Sequence, residues 1–325
     1  MNTDMTLENI RRIRDQIADR IHTTPVYDWT DSVGHSVNGK GGAVALKLEL
    51  LQRGGSFKIR GALAVMLNAG AQNLKNGVVA VSAGNHAIAT AYAAKSLGVD
   101  ATVVMMKSAN PARPAACKAL GAKVILAENV DRAFEMVETI RDEEKRLFVH
   151  PYEGPYTALG TATLGMEIVE QVPDLEAIIV PIGGGGLCAG VSSAVKMLNP
   201  ACKVYGVEPE GDDNMRLSFE AGSPQKSPGK PTIADGLKPP ASAPYSFGLC
   251  WDHVDDIVLV NDDDLRRAMA RLFSEVKLAV EPAGAASTAA LFGPLESLCR
   301  GKRVAAIVSG SNIDIRTFAD YVEGA

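Results

Sequence analysis

Strand-length apolar runs alternate with helix-length amphipathic runs along this chain, and that alternation restricts its fold more than any other property. Residues 77–81, 101–106 and 123–126 read as buried strands, with helices at 85–97, 112–120 and 131–146. Strands apolar on both faces and separated by helices predict parallel βαβ units covered on both sides. The pattern restarts after Tyr152, with helix 160–171, strand 177–181, helix 187–198 and strand 203–207. Ahead of it lie a helix over 6–21 behind a Thr cap (Leu7, Ile10, Ile13, Ile17, Ile21), a strand at 44–48 and a helix at 61–69. A strand at 258–260, a helix at 262–272 and a strand at 303–308 close the chain. The expectation is an α/β protein with two mostly parallel sheets flanked by helices. Residues 223–244 hold six prolines among twenty-two residues and read as a long functional loop on the surface.

Bulk properties exclude several classes. The charge is 33 − 38 = −5 without a basic block, which argues against nucleic acid or an anionic membrane as partner. No uncharged apolar run is long enough to span a bilayer, and the N-terminus lacks the apolar core of a secretory signal. Cys117, Cys188, Cys202, Cys250 and Cys299 are odd in number and scattered, so they read as free thiols of a cytoplasmic protein.

Four short segments carry chemistry. Gly55-Ser56-Phe57-Lys58-Ile59-Arg60-Gly61 wraps a lysine between an aromatic and an aliphatic neighbour, which should lower its pKa and raise its nucleophilicity. Gly183-Gly184-Gly185-Gly186-Leu187 joins a buried strand to an apolar helix, where successive N–H groups can surround a phosphate. Neither a P-loop nor GxGxxG spacing is present, so a small phosphate ester suits it better than a nucleotide. Ser82-Ala83-Gly84-Asn85-His86 leaves another buried strand and opens a helix, a place to hold a carboxylate; His86 by itself reads equally as a structural histidine. Ser309-Gly310-Ser311-Asn312 follows the last strand. Together they suggest a phosphate-bearing cofactor with an electrophilic carbon in a cleft between two sheets.

These motifs, with Thr24-Pro25, Ala234-Asp235-Gly236 and Glu281-Pro282-Ala283-Gly284-Ala285 in the same order, resemble the fold-type II pyridoxal-phosphate enzymes. The likeness is to the serine/threonine dehydratases, relatives of serine racemase and hydroxyaspartate dehydratase. It implies a two-domain, tryptophan synthase β-like fold: residues 1–51 and 157–325 as the large cofactor-binding domain, 52–156 as a small mobile one. It implies pyridoxal 5'-phosphate, with Lys58 forming the internal aldimine and then moving the Cα proton. Gly183, Gly184, Gly185, Gly186 and Leu187 would cradle the phosphate, Asn85 would bond the 3-hydroxyl, Phe57 and Gly236 would sandwich the ring, and Ser309 would face its nitrogen. Ser82, Ala83, Gly84, Asn85 and His86 would bind the substrate carboxylate.

The resemblance also weighs the reaction. A serine hydroxyl, unlike an aspartate, cannot stabilise a pyridinium by charge, so the ring is a weaker electron sink suited to elimination. The racemase carries a second serine where Ala83 stands; inversion needs a proton carrier on both faces and β-elimination on only one, so the dehydratase is favoured. The expected substrate is a β-hydroxy amino acid, L-threonine or L-serine first, with hydroxyaspartate or a bulkier side chain as the alternative. Arg132 reads first as a solvated helix arginine, with a second carboxylate as its alternative partner. Gly54 and Gly160-Thr161-Ala162-Thr163 depart from the family's usual residues, so the pocket is expected to differ from that of a plain threonine enzyme. Glu208, Asp212 (through its carbonyl) and Asn214 match a divalent-cation stretch suited to Mg²⁺, with neutral Asn214 where relatives have an aspartate. A homodimer is expected, and the end of the chain at Ala325 suggests a catabolic type without a regulatory domain.

Overall fold

The computed structural model describes residues 3–325, apart from 30, 33, 34, 37, 38, 40, 41, 108, 111 and 324. Two sheets organise it. The larger runs Val26–Trp29, Ala43–Lys47, Arg303–Ile307, Ala177–Pro181, Lys203–Pro209, Asp256–Val260; all neighbours pair in parallel except the first strand, which is an antiparallel edge. The smaller is wholly parallel, in the order Lys123–Ala127, Ala101–Met106, Val78–Val81, Leu147–Phe148. A short antiparallel pair, Asp31–Ser32 with His35–Ser36, stands apart.

The central strands are buried along their whole length because helices cover both faces: Val78–Val81 and Ala177–Pro181 expose nothing appreciable. Strand-length apolar runs without alternation fit strands of this kind. The first helix, Leu7–Ile17, presents Ile10, Ile13 and Ile17 to the core shared with Ile59, Leu63 and Met66 of the helix Lys58–Ala69. Each such side chain contributes on the order of 1.5–3 kcal/mol through burial. The Thr6 hydroxyl caps it, accepting from Asn9 N–H at 3.2 Å. The helix stops short of the expected residue 21 because Ala18–Arg20 tighten into a 3₁₀ turn.

Three helices carried no periodic signal. Pro282–Leu291 is buried on every side, so its residues are small or apolar all round. Asn214–Ala221 and Pro244–His253 flank the proline-rich segment, which is a largely exposed loop as expected, with a 3₁₀ turn at Asp235–Leu237 and buried anchors at Ser227, Ala234, Leu237 and Ser242. The lysine helix begins at Lys58, three residues before the expected start. All five cysteines are free and buried. No helix among the described residues is long and apolar enough to cross a membrane.

Candidate active site

The C-terminal ends of the parallel strands of both sheets open onto one cavity of about 330 Å³. This is where open α/β sheets hold ligands. Its walls include Phe57, Lys58, Ser82, Ala83, Gly84, Asn85, His86, Gly183, Gly184, Gly185, Gly186, Leu187, Gly236 and Ser309. Segments distant in sequence thus meet around one space.

Lys58 is the first residue of its helix and is half-buried. Its Nζ donates to the Pro151 carbonyl at 2.7 Å and lies 5.1 Å from the centre of the Phe57 ring. Burial lowers its pKa to about 8; the helix N-terminus acts in the same direction. The aliphatic half of the expected wrapping is absent, because Ile59 turns into the core with Leu63 and Met66. One residue further along a helix is a rotation of about 100°.

Glycine is a steric requirement in the loop 183–186. A Cβ on Gly184 would lie 2.2 Å from the Tyr152 ring, and one on Gly186 would lie 2.3 Å from the Tyr152 carbonyl. Gly185 has φ +93°, a conformation side chains rarely adopt. The helix Gly186–Leu198 follows at once, and its first-turn N–H groups have no intrahelical acceptors. Such a cradle fits a phosphate. Ser309 Oγ makes only a long 3.5 Å bond to the Ala283 carbonyl, leaving capacity to meet a ring nitrogen.

In the third loop, Ser82 Oγ accepts from Gly84 N–H at 3.1 Å, and the helix Asn85–Leu97 starts next. His86 is buried; its Nε2 donates to the Val149 carbonyl at 2.8 Å, and burial followed by the Lys58 charge pulls its pKa to about 3. It is a neutral histidine that ties the helix to the neighbouring strand end. His150 is likewise held neutral, its Nδ1 accepting from Tyr152 and Glu153 N–H.

Other residues to which the sequence assigned no role reach the cavity. Glu281 lines it, is 2% exposed and is pushed up to about 7 by burial. Arg113 reaches over from the smaller sheet to Asp235, also bonding the carbonyls of Ala83 and Asn312. Met106, Val130 and Phe134 form an apolar wall on the side of the smaller sheet. Arg132 does not join them: it is 60% exposed and pairs with Glu135. Gly54 (φ +76°) is outside the cavity lining, and Thr161 sits behind the glycine loop, donating to the Gly186 carbonyl at 2.7 Å.

Glu208, Asp212 and Asn214 lie together but away from the cavity. Both Glu208 oxygens accept N–H bonds, from Met215 and Arg216, at 2.8 Å each, and Asn214 donates its amide to Asp212. Asn214 Oδ1 accepts from Ser227 N–H at 2.6 Å. Oxygens spent on capping a helix and closing a loop do not fit a Mg²⁺ site as arranged, and among the described residues no group of three His, Cys, Asp or Glu side chains could hold a metal. Burial raises Glu208 to about 8 despite the two N–H bonds.

Behind the lysine helix lies a buried ionic network. Arg60 Nε and Nη2 make paired 2.8 Å bonds to Glu49, and Nη2 also meets Glu167 at 2.9 Å. Lys47 bonds Glu167, the Thr24 carbonyl at 2.6 Å and Gln171 at 2.7 Å. A Cβ on Gly160 would lie 2.5 Å from the Arg60 carbonyl, so the two helices touch backbone to backbone there.

The family profile described as "Pyridoxal-phosphate dependent enzyme" matches residues 17–310. The chain belongs to this family. Within the pyridoxal-phosphate enzymes it is of fold type II, in the serine/threonine dehydratase group. It is 52% identical over 316 residues to the phenylserine dehydratase of Ralstonia pickettii, covering 97% of this chain and 96% of that one. It is 40% identical over 312 residues to the L-threonine ammonia-lyase of Thermotoga maritima, covering 96% and 76%. Maize serine racemase superposes with a TM-score of 0.89 at 33% identity, covering 97% of this chain and 95% of that one. The glycine cradle, the desolvated lysine and the underused Ser309 hydroxyl all suit pyridoxal 5'-phosphate, the family's cofactor.

Proposed function

We propose that this pyridoxal-phosphate enzyme dehydrates β-hydroxy amino acids with a bulky apolar β-substituent, phenylserine being the prototype, to a 2-oxo acid and ammonia. The observation that carries the reading is the wall of Met106, Val130 and Phe134 facing the same cavity as Lys58. An aryl group gains by burial against such a wall, and Arg113, the arginine in the cavity lining, is already paired with Asp235. Arg132, on which the hydroxyaspartate alternative rested, is held outside by Glu135. The relationship to a phenylserine dehydratase supports the same choice.

The bound cofactor supplies an electron sink for the Cα carbanion. The chain's residues do the rest. At pH 7 about a tenth of a lysine with a pKa of about 8 is free amine, so Lys58 can both attack a carbonyl carbon and take the Cα proton. The N–H groups and Ser82 hydroxyl of the loop 82–86 hold the substrate carboxylate, and the loop 183–187 holds the cofactor phosphate. Asn85 would bond the 3-oxygen, Phe57 and Gly236 would hold the ring's faces, and Ser309 would meet its nitrogen. Ala83 offers no proton carrier opposite Lys58, which favours elimination over racemisation. The Cβ hydroxyl would leave as water, the proton it gains balancing the one Lys58 takes from Cα, and the released enamine would take up water to give 2-oxo acid and ammonia.

Residues 52–156 are proposed as the smaller domain, with 1–51 and 157–325 as the larger. A cytoplasmic homodimer completes the proposal, the free buried thiols suiting a reducing compartment.

Threonine and serine form the second reading, supported by the L-threonine ammonia-lyase relative. The test is 2-oxo acid release from phenylserine, threonine, serine and hydroxyaspartate by purified holoenzyme. The highest kcat/KM is expected for phenylserine. A preference for threonine replaces the first reading by the second, and release from none of them overturns both.

A further inference from the structure

Glu281 is a buried carboxylate that the reaction above does not use. It occupies the N-cap position of Pro282–Leu291, yet its side chain makes no capping bond to that helix. It turns instead to Asn85, whose Nδ2 donates to Glu281 Oε1. The other end of the same amide is also read: Asn312 Nδ2 donates to Asn85 Oδ1 at 2.6 Å and to the Gly54 carbonyl at 2.8 Å.

These neighbours demand one orientation of the Asn85 amide. Flipped, it would set its oxygen against a carboxylate and its NH₂ against another NH₂. In the observed sense one Nδ2 hydrogen is engaged by Glu281 and the second is left for the cavity. Two glycines make room for the arrangement. A Cβ on Gly310 would lie 2.3 Å from Glu281 Oε1 and 3.1 Å from Asn85 Nδ2, and one on Gly284 would lie 2.3 Å from the Gly310 carbonyl.

We propose that Glu281 is a positioning residue: it locks the amide of Asn85 so that the free Nδ2 hydrogen always faces the cofactor's 3-oxygen. The inference rests on the family's cofactor and on the seating of its 3-oxygen at Asn85, not on the choice of substrate. The bond that Asn85 Oδ1 accepts from Asn312 draws charge through the amide and makes the remaining N–H a stronger donor, while Glu281 fixes the direction in which it points. The charged groups that influence it are Asp235, which opposes its ionisation, and Arg113, which favours it.

The experiment compares holoenzyme with Glu281→Gln, Asn85→Ala and the double variant. The readouts are the pH dependence of the cofactor's visible absorption, kcat and KM. Glu281→Gln is expected to shift the spectral midpoint by about one pH unit and to lower kcat about tenfold with KM within about twofold. In the Asn85→Ala background the same change should add less than about twofold, since the residue through which it acts is gone. A Glu281→Gln spectrum that overlays the parent's across the pH range overturns the proposal, as does a full effect that persists without Asn85. Should Glu281→Gln fail to fold, Asn312→Asp tests the lock from its other side. It removes the donor to Asn85 Oδ1 and should displace the spectrum likewise; a parent-like spectrum overturns the proposal. The absorption readout needs no substrate, so a wrong substrate assignment leaves the outcome readable.

Discussion

The Phe57 N–H donates to the Ser309 carbonyl at 3.2 Å, so the loop that ends in Lys58 hangs from the strand end that carries Ser309. Ser311 N–H returns a bond to the Gly55 carbonyl at 3.0 Å. Two segments some 250 residues apart in sequence are therefore one structural unit, both following neighbouring strands of the larger sheet, Ala43–Lys47 and Arg303–Ile307. Movement of the lysine relative to the proposed ring-nitrogen partner is restrained by backbone bonds rather than by flexible side chains.

The first prediction concerns capture of the cofactor. In the cofactor-free protein Lys58 has its pKa lowered to about 8 by burial, so its free-amine fraction grows as pH rises through that value. The rate at which apoenzyme takes up pyridoxal 5'-phosphate should climb about tenfold per pH unit well below pH 8 and level off above it. Stopped-flow absorbance checks this, and a plateau reached only above pH 10 would contradict it. Lys58→Ala should lose both the visible band and turnover. The sign for stability follows the same shift: between about 8 and 10.5 the unfolded chain binds the extra proton, so the apoprotein gains stability as pH rises through that window.

A second prediction concerns the ionic network behind the lysine helix. Arg60 and Glu49 are both fully buried, so removing one partner strands the other's charge. Arg60→Ala should cost about 3–5 kcal/mol in urea unfolding, whereas a double replacement by apolar residues of similar size should recover much of the loss. The Glu49 carboxyl is held below its usual range by Arg60 against the opposing effect of burial. The stability it contributes is therefore present above the ordinary carboxylate pKa and is lost as pH falls below it.

Which features were legible in the sequence follows from what each depends on. The glycine loop, the carboxylate loop and the lysine segment are local solutions to local problems, a tight turn at a buried strand end, and each is visible as a word. Phe134 is not, and Glu281 stands in a visible motif without a readable role, because what each does comes from what another segment places opposite it. Arg132 shows how the helix decides between its two readings, in favour of a solvated arginine. Two residues along a helix are a rotation of about 200°, so the arginine and Phe134 point to opposite sides of Val130–Glu144. Val130 and Phe134, four apart, share the face that meets the cavity. The helix Pro282–Leu291 was hidden because burial all round erases the periodicity by which helices are recognised.

A third prediction uses the face opposite Lys58. Ala83 lines the cavity and carries no titratable atom. Ala83→Ser would add a hydroxyl there and should confer measurable conversion of L-serine to D-serine, read by chiral chromatography, with elimination still the main reaction. Racemisation by the parent enzyme at the same rate as by the variant would show that a second proton carrier already exists.

The last prediction separates the apolar wall from the rejected arginine. Phe134→Ala removes an aromatic ring from the wall of Met106, Val130 and Phe134. If the ring packs against the substrate's β-substituent, kcat/KM for phenylserine should fall by about tenfold or more, the scale of one to three kcal/mol for a lost apolar contact. Threonine, whose methyl group reaches less far, should change by less than about threefold on the same reasoning. Arg132→Ala, at an exposed residue paired with Glu135, should leave both values within about twofold of the parent. An equal loss on both substrates in Phe134→Ala would mean that the residue supports the small sheet rather than selecting the substrate. A large loss in Arg132→Ala would return the arginine to the site.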